Sequence, residues 1–285
     1  MDREIRKVII TGPTGAIGVA LADLLTSRGK EVYAICRPKS PNILNLKKHE
    51  RLHVIECDIS ELLTLEKVLD KGFDVLYHFA WNGTIGDARN NVDLQLNNIK
   101  YTLDATELAR KLGCKVFIGA GSQAEYGHFN EPADENTSTN PFTLYGAAKL
   151  SAGKMSRIYA NNIGLSHIWT RIFSVYGPND DSKTLISYVI NELKYGRVPQ
   201  LTKGEQVWDY LYSYDAADAM LKIAEKGKNN STYCIGSGQQ RLLKDYIKDI
   251  ASLFCIDIEE GLGKKPYSEN QTMFLSANIS KLKKD

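Results

Sequence analysis

In "TLYGAAK", residues 143–149, Tyr145 and Lys149 stand four apart, with only Gly146, Ala147 and Ala148 between them. Residues i and i+4 of a helix share a face. An ammonium beside a phenol favours the phenolate and lowers its pKa from about 10. A phenol tuned in this way can exchange a proton with an alcohol or sugar oxygen near neutral pH. Small residues between the two would let a cofactor and a substrate approach the helix. An exposed helical pair without any task has the same spacing, so the rest of the chain must decide.

A second motif stands near the start of the chain. "IITGPTGAIG" places glycines at 12, 15 and 18, where an apolar strand turns into a helix. Glycines there serve a tight turn, close backbone approach to a pyrophosphate and close helix–strand packing. The helix N-terminus adds free N–H groups and the positive end of its dipole. The spacing is GxxGxxG, and the strand before it with the helix after it marks dinucleotide binding. An acid at the end of the second strand would hold the adenosine ribose of NAD(H). This chain has "AICRPKS" there, with Arg37 in place of the acid. An arginine fork suits a 2′-phosphate, so NADP(H) is favoured and NAD(H) remains possible; a surface arginine without a ligand is the plain alternative. Asp58, after the third strand, is a candidate for the adenine edge or a helix-capping acid.

Both motifs need a scaffold. Short apolar runs ("KVIIT", "EVYAIC", "LHVIEC", "FDVLYHFA", "KVFIGAG", "LSHIWTRIF") alternate with amphipathic stretches ("AIGVALADLLTSRG", "SELLTLEKVLD", "NVDLQLNNIKYTLDATELARKLG" and the helix carrying Tyr145, to about residue 162). Ser60 reads as the cap of the second of these helices. Such alternation predicts an α/β fold: a Rossmann-type, doubly wound parallel sheet covered on both faces. After about residue 174 the rhythm changes. "TLISYVINELKYG", "DAADAMLKIAEKG" and "RLLKDYIKDIASLF" read as helices, "STYCIGSG" as a strand and "QLTKGEQVWDYLYSY" as extended chain. The expected division is a nucleotide-binding domain over 1–173, with 212–236 packing back on it. A smaller, interleaved substrate lobe takes 174–211 and 237–285.

The bulk composition narrows the function. The 285 residues carry a net charge of +2, with 43% hydrophobic and 25% charged residues, which is ordinary for a globular chain and gives no reason to expect nucleic acid. No apolar run reaches the roughly 18–20 residues of a membrane span, and "MDREIRKVIITG" lacks a signal peptide's apolar core. The five cysteines, Cys36, Cys57, Cys114, Cys234 and Cys255, are odd in number and form no CxxC pair. That pattern points to reduced thiols in the cytoplasm, to small core residues, and to no metal site.

In combination, "TGPTGAIG", "CDIS", "YHFAWNG", "SQAEYG", "YGAAK", "RIFSVYGP", "WDYLYSYDAADA" and "YCIGSG" resemble the extended short-chain dehydrogenase/reductase family of nucleotide-sugar epimerases, dehydratases and reductases. The likeness covers nearly the whole chain. It implies a triad in which Ser122 holds the substrate oxygen, Tyr145 is the acid/base, and Lys149 binds the nicotinamide ribose and tunes Tyr145. It also implies a dinucleotide contacted by Gly12, Thr14, Gly15, Ala16, Ile17, Gly18, Arg37, Asp58, Ile59, Phe79, Ala80, Trp81, Asn98 and Phe173, besides Tyr145 and Lys149. The substrate, a nucleotide sugar, would meet Asn82, Gln123, Ser174 and Trp208. Members commonly dimerise through two helices, and the segments 91–112 and 144–162 are the candidates for a homodimer.

The departures from the family pattern select among reactions. The 4,6-dehydratases place an Asp-Glu pair after the triad hydroxyl, and here Gln123 and Ala124 stand there. GDP-fucose synthases use a cysteine at the second of these positions, which Ala124 cannot replace. Keto reduction and 4-epimerisation remain. "GSQAEYG" is most similar to the 4-ketoreductases of deoxysugar nucleotides, such as CDP-abequose synthases and dTDP-4-keto-6-deoxyglucose reductases. The expectation is therefore NADPH-dependent reduction of an NDP-4-keto-6-deoxyhexose, with an NAD(P)-dependent 4-epimerase as the alternative. A non-enzymatic dinucleotide sensor is the remote third reading. The usual "FNVYGP" is "FSVYGP" and the usual "RDF" is "WDY", so Ser174 and Trp208 replace an amide and an arginine. Trp208 is placed to stack on a nucleoside base or in the core, and Trp81 to narrow the nicotinamide pocket. His78 reads as a packed strand residue, and His128 as a substrate contact or a solvated one.

Overall fold

In a computed structural model, residues 2–269 and 271–285 are described. Seven parallel strands form the central sheet: β1 (Lys7–Thr11), β2 (Glu31–Cys36), β3 (Leu52–Glu56), β4 (Val75–His78), β5 (Val116–Ser122), β6 (Ser166–Ile172) and, later in the chain, β10 (Thr232–Ile235). Their spatial order is β3-β2-β1-β4-β5-β6-β10. Near-continuous apolar runs make these strands, and all four residues of β4 and all seven of β5 are buried, as in a sheet covered on both faces. The strand order reverses between β1 and β4. A crevice therefore opens beyond their carboxyl ends, where open α/β sheets bind ligands.

Helices cover both faces. On one, α1 (Ala16–Ser27) lies with α5 (Ser213–Lys226) over a core that includes Val8, Ile10, Leu21, Leu25, Tyr77, Met220 and Leu221. On the other, α2 (Val92–Lys111) and α3 (Leu144–Asn162) cover Ile9, Phe73, Leu76, Leu108, Phe117 and Ala160. Gly29 and Gly113 follow α1 and α2 at φ +74° and +75°, a conformation that ends a helix cheaply only at glycine.

The remaining elements are small: β7 (Ser174–Tyr176) pairs with β9 (Tyr210–Tyr212), and β8 (Val207–Trp208) lies between β11 (Arg241–Leu242) and β12 (Phe274–Leu275). Helices α4 (Leu185–Lys194) and α6 (Leu243–Ser252) enclose a separate cluster of Val189, Leu193, Leu201, Leu243, Ile247 and Ala251, and α7 (Ser280–Lys284) closes the series. Buried Asp209 ties these parts together: its carboxylate accepts from the Ser237, Gly238 and Ala277 backbone N–H groups and from the Ser237 hydroxyl.

Two local expectations change. The stretch after β3 forms a 3-10 helix, Ile59–Lys67, and its cap is Asp58, whose carboxylate accepts from the Ser60 N–H at 2.9 Å and the Ser60 hydroxyl at 2.7 Å. The Asp58 side chain reaches the free N–H groups first, so Ser60 becomes the donor. In "QLTKGEQVWDYLYSY" only Val207–Trp208 and Tyr210–Tyr212 are strands.

Candidate active site

The crevice holds a cavity of about 610 Å³. Its floor is the loop between β1 and α1, and each glycine there has a distinct reason. Gly12 has φ +69°, and a methyl group on it would stand 2.6 Å from the Ala80 nitrogen. A methyl on Gly18 would stand 2.6 Å from the Gly12 oxygen, so close crossing of α1 over the loop requires that glycine. Gly15 is exposed and caps α1, with nothing within 4 Å of where a methyl group would point. Its bare backbone and the first N–H groups of α1, which no side chain caps, form a cradle suited to a diphosphate.

Thr14, Ala16, Arg37, Asp58, Ile59, Phe79, Ala80, Trp81 and Asn82 also line this cavity. Other expected contacts lie elsewhere. Ile17 packs against the sheet core, and Phe173 is buried with Tyr126 and Cys234. Asn98, buried on α2, bonds both ways to the Asn82 backbone, donating to its carbonyl at 2.8 Å and accepting from its N–H at 3.0 Å. Gln95 adds bonds to the Gly83 and Ala88 carbonyls. These two amides fix the loop after β4, and no side-chain signal in that loop announces them.

Ser122, Tyr145 and Lys149 converge just past Trp81, at the ends of β5 and α3. Ser122 ends β5 and caps the turn Gln123–Glu125: its hydroxyl accepts from the Ala124 N–H, and Glu125 accepts from the Ser122 N–H at 2.9 Å. That reciprocal capping box is legible as S-x-x-E in the sequence, and it leads to a group that the motif reading missed. Glu125 is 1% exposed and also accepts from the Trp169 indole and the Arg171 guanidinium, each at 2.9 Å. The turn under Ser122 is thus anchored on a buried ion pair.

Tyr145 is half-buried, and burial raises its pKa above the ordinary phenol value, with the Ser122 side chain and the Arg89 guanidinium pulling it down. Lys149 is 4% exposed, donates to the Ala120 carbonyl at 2.6 Å and lies 3.7 Å from the centre of the Trp81 ring. Burial pushes its ammonium down to about 7, against the opposing Glu125 carboxylate. The Trp81 ring stands edge-on to Tyr145 and donates to Gln95 at 2.9 Å. Trp81 lines the cavity, whereas Ser122, Tyr145 and Lys149 do not. The small residues between Tyr145 and Lys149 also have a structural cause: a methyl on Gly146 would stand 2.3 Å from the Ala124 oxygen. They let α3 press against the turn that Ser122 caps.

Of the remaining candidates, Trp208 donates to the Ser174 hydroxyl at 2.8 Å and lines a second cavity of about 560 Å³, together with Tyr188, Gln206, Tyr210 and Lys265. Gln123 follows Ser122 at the head of the capped turn and lines neither cavity. His78 is buried, shares hydrogen bonds with Thr11 and Thr102, and is pushed down to about 3 by burial and by Lys149. His128 stacks on the exposed Phe142 ring. Cys36, Cys57, Cys114 and Cys234 are buried, and all five thiols are free. No cluster of metal-ligating side chains occurs among the described residues.

The model of the NAD-dependent epimerase/dehydratase family matches residues 8–236. The chain belongs to that family. That family is described as NAD dependent. A trifunctional UDP-glucose 4,6-dehydratase/UDP-4-keto-6-deoxy-D-glucose 3,5-epimerase/UDP-4-keto-L-rhamnose-reductase of Arabidopsis thaliana is 29% identical over 97% of this chain, which spans 44% of that protein's length. CDP-abequose synthase of Salmonella typhimurium is 28% identical over 97% of this chain and 91% of its own. In fold, a UDP-N-acetylglucosamine 4-epimerase from Methanobrevibacter ruminantium, solved with UDP-N-acetylmuramic acid, superposes with a TM-score of 0.89. It is 26% identical and covers 99% of this chain and 92% of its own. No helix among the described residues is long and apolar enough to cross a membrane.

Proposed function

We propose that this enzyme reduces an NDP-4-keto-6-deoxyhexose with NADPH. The observation that carries the reading is the pairing of an intact Ser122–Tyr145–Lys149 site with the non-acidic Gln123 and Ala124 behind the serine. Water elimination would need an acid and a base at those two positions. Keto reduction needs neither: it needs a proton donor at the keto oxygen. Burial holds the Tyr145 phenol in its protonated form, which is the donor form. Ser122 would hold the same oxygen, and Lys149 would face the cofactor's ribose.

The large cavity fits the cofactor, because it combines the open Gly15 cradle with Arg37 and Asp58 at the far end. Bound there, a nicotinamide dinucleotide supplies the hydride. Arg37, with Ser40 and Asn42 beside it in the lining, favours a 2′-phosphate and hence NADP(H). The second cavity, with Trp208 and Tyr210 as flat faces and Lys183 and Lys265 as cations, suits a nucleoside diphosphate. The segment 179–185 contributes to both linings and would lie between the two ligands.

A 4-epimerase is the second reading, favoured by the likeness to the archaeal epimerase in fold. The proposed domain division stays 1–173 with 212–236, and 174–211 with 237–285. We also propose a homodimer, since Val92 and Leu96 on α2 and Met155 and Ile158 on α3 expose an apolar face. Unlinked thiols favour the cytoplasm. The test is a mixture of protein, NADPH and a 4-keto-6-deoxy nucleotide sugar, with NADH as control and analysis of the sugar. Stoichiometric NADPH loss supports the reductase, conversion without net loss supports the epimerase, and an unchanged sugar refutes the substrate class.

A further inference from the structure

The second cavity contains a polar group that nothing in the protein satisfies. Among the described residues, several buried side-chain polar atoms have no hydrogen-bond partner, and only one of them, Gln206 Oε1, belongs to a residue lining either large cavity. Gln206 is 3% exposed. Its amide nitrogen donates to the Thr202 hydroxyl at 3.4 Å, which leaves the oxygen as the free end. A buried acceptor without a donor is costly, and an N–H brought in by a ligand would relieve it.

Its placement is built in. The Gln206 carbonyl accepts from the Leu243 N–H at 2.8 Å, and the next residue's N–H donates to the Met273 carbonyl at 2.9 Å, so main chain pins the position from two sides. Gln206, Trp208 and Tyr210 alternate along the chain through β8 into β9, and all three line the cavity. Asp209 between them turns away to the Ser237 and Ala277 N–H groups. The row has a direction. Burial and then the Asp180 carboxylate raise the Tyr210 phenol above its ordinary value, and Asp180 lines the cofactor cavity. Tyr210 is therefore the end nearest the cofactor, Trp208 the flat middle, and Gln206 the far end.

We propose that Gln206 is the base-reading residue of this enzyme: its Oε1 accepts from an N–H on the pairing edge of a nucleobase whose ring lies against Trp208. This rests on the reading of the second cavity as the nucleoside diphosphate site, and assigns one side chain there to specificity. With the base at the far end, the diphosphate and the sugar run past Tyr210 toward the cofactor.

The test needs no turnover. The whole protein is titrated calorimetrically with UDP, CDP, dTDP, GDP and ADP, and with inorganic pyrophosphate, which has no base. Gln206→Met keeps the side chain's length and removes the acceptor. It should weaken the tightest nucleoside diphosphate about tenfold and leave pyrophosphate unchanged, while the ligand-free protein keeps or gains urea resistance, because an unsatisfied acceptor is gone. A glutamine that only supports the fold would show the reverse, a lower urea midpoint with unchanged nucleotide affinity, and that result overturns the proposal. Gln206→Glu, still an acceptor, should keep more of the affinity than Gln206→Met. Where Gln206→Met does not fold, the wild type is titrated with the same nucleotide methylated at the base nitrogen, which removes the N–H; unchanged affinity then overturns the proposal. Nucleotide binding that is equal in wild type and Gln206→Met removes the Gln206 assignment alone. A wild type that binds none of the five nucleotides overturns the nucleoside reading of the cavity, and the assignment with it.

Discussion

Gly12 and Gly15 lie in the loop before α1 and Gly18 in its first turn, and substitution by alanine should separate folding from cofactor binding among them. At Gly12 the backbone has φ +69°, and the new methyl would stand 2.6 Å from the Ala80 nitrogen and 2.9 Å from the Phe79 carbonyl carbon. The left-handed conformation costs about 1–2 kcal/mol, and overpacking against main chain that cannot rotate away costs about 1–3 kcal/mol more. Gly12→Ala should therefore lose roughly 2–5 kcal/mol of stability, a large share of a typical total. At Gly18 helix propensity favours alanine by about 1 kcal/mol, but the methyl meets the Gly12 oxygen at 2.6 Å and Pro13 at 2.7 Å, so the net effect is again a loss. Gly15 differs: φ is −84°, ψ is 171° and the surrounding space is open. Gly15→Ala should keep its unfolding free energy within about 0.5 kcal/mol while the methyl fills the cradle. Dinucleotide affinity should drop at least about tenfold, or 1.4 kcal/mol. Urea unfolding and titration of nicotinamide fluorescence measure the two quantities side by side. A Gly15→Ala protein that binds the dinucleotide with wild-type affinity would refute the cradle.

Tyr145→Phe should bind cofactor normally and lose at least about a hundredfold in turnover; wild-type turnover would remove its acid/base role. Arg37→Asp should weaken NADPH far more than NADH in parallel binding titrations, and equal losses would discard the 2′-phosphate contact. Glu125→Ala leaves Arg171 and the Trp169 indole without their shared acceptor, so it should cost about 3–5 kcal/mol, read as a lower denaturant midpoint. His78 and His167 are both buried and pushed down to about 3, below the ordinary 6.5. Between those values the unfolded chain binds the protons, so stability rises with pH there. On acidification from 6.5 toward 3 each should remove about 1.4 kcal/mol per pH unit once the unfolded form is fully protonated. His78→Gln with His167→Gln should flatten that fall, and an unaltered pH profile would show that other groups set it.

The sheet was legible because its strands are buried on both faces and so read as unbroken apolar runs, and because glycines such as Gly29 and Gly113 mark helix ends. Gly12 and Gly18 were legible because each fills a backbone position with no room for a methyl group, whereas the space around Gly15 is open. What escaped the sequence is what three dimensions supply. Arg89 sits in a short 3-10 helix, Gly86–Asn90, 56 residues before Tyr145, and the pairing of β4 with β5 and the amides of α2 bring it there. Gly146 looked like room for a ligand, and it proves to be room for the Ala124 carbonyl. Asn98 looked like a cofactor contact by motif, and its amide is spent on the Asn82 backbone. Glu125 carried a readable signal, the capping box, but its ion pair with Arg171 joins residues that share no local pattern.

The central claim is that this site moves a hydride to a sugar carbon while Tyr145 supplies the proton. Deuterium tracing tests it most directly: the protein is mixed with NADPH deuterated at the nicotinamide C4 and an NDP-4-keto-6-deoxyhexose, and the sugar product is examined by mass and by NMR. The account predicts one deuterium at C4 of the product, with an equal amount of cofactor oxidised, and none of this in Tyr145→Phe. A reduced product without deuterium at C4, or full label transfer in Tyr145→Phe, would contradict it.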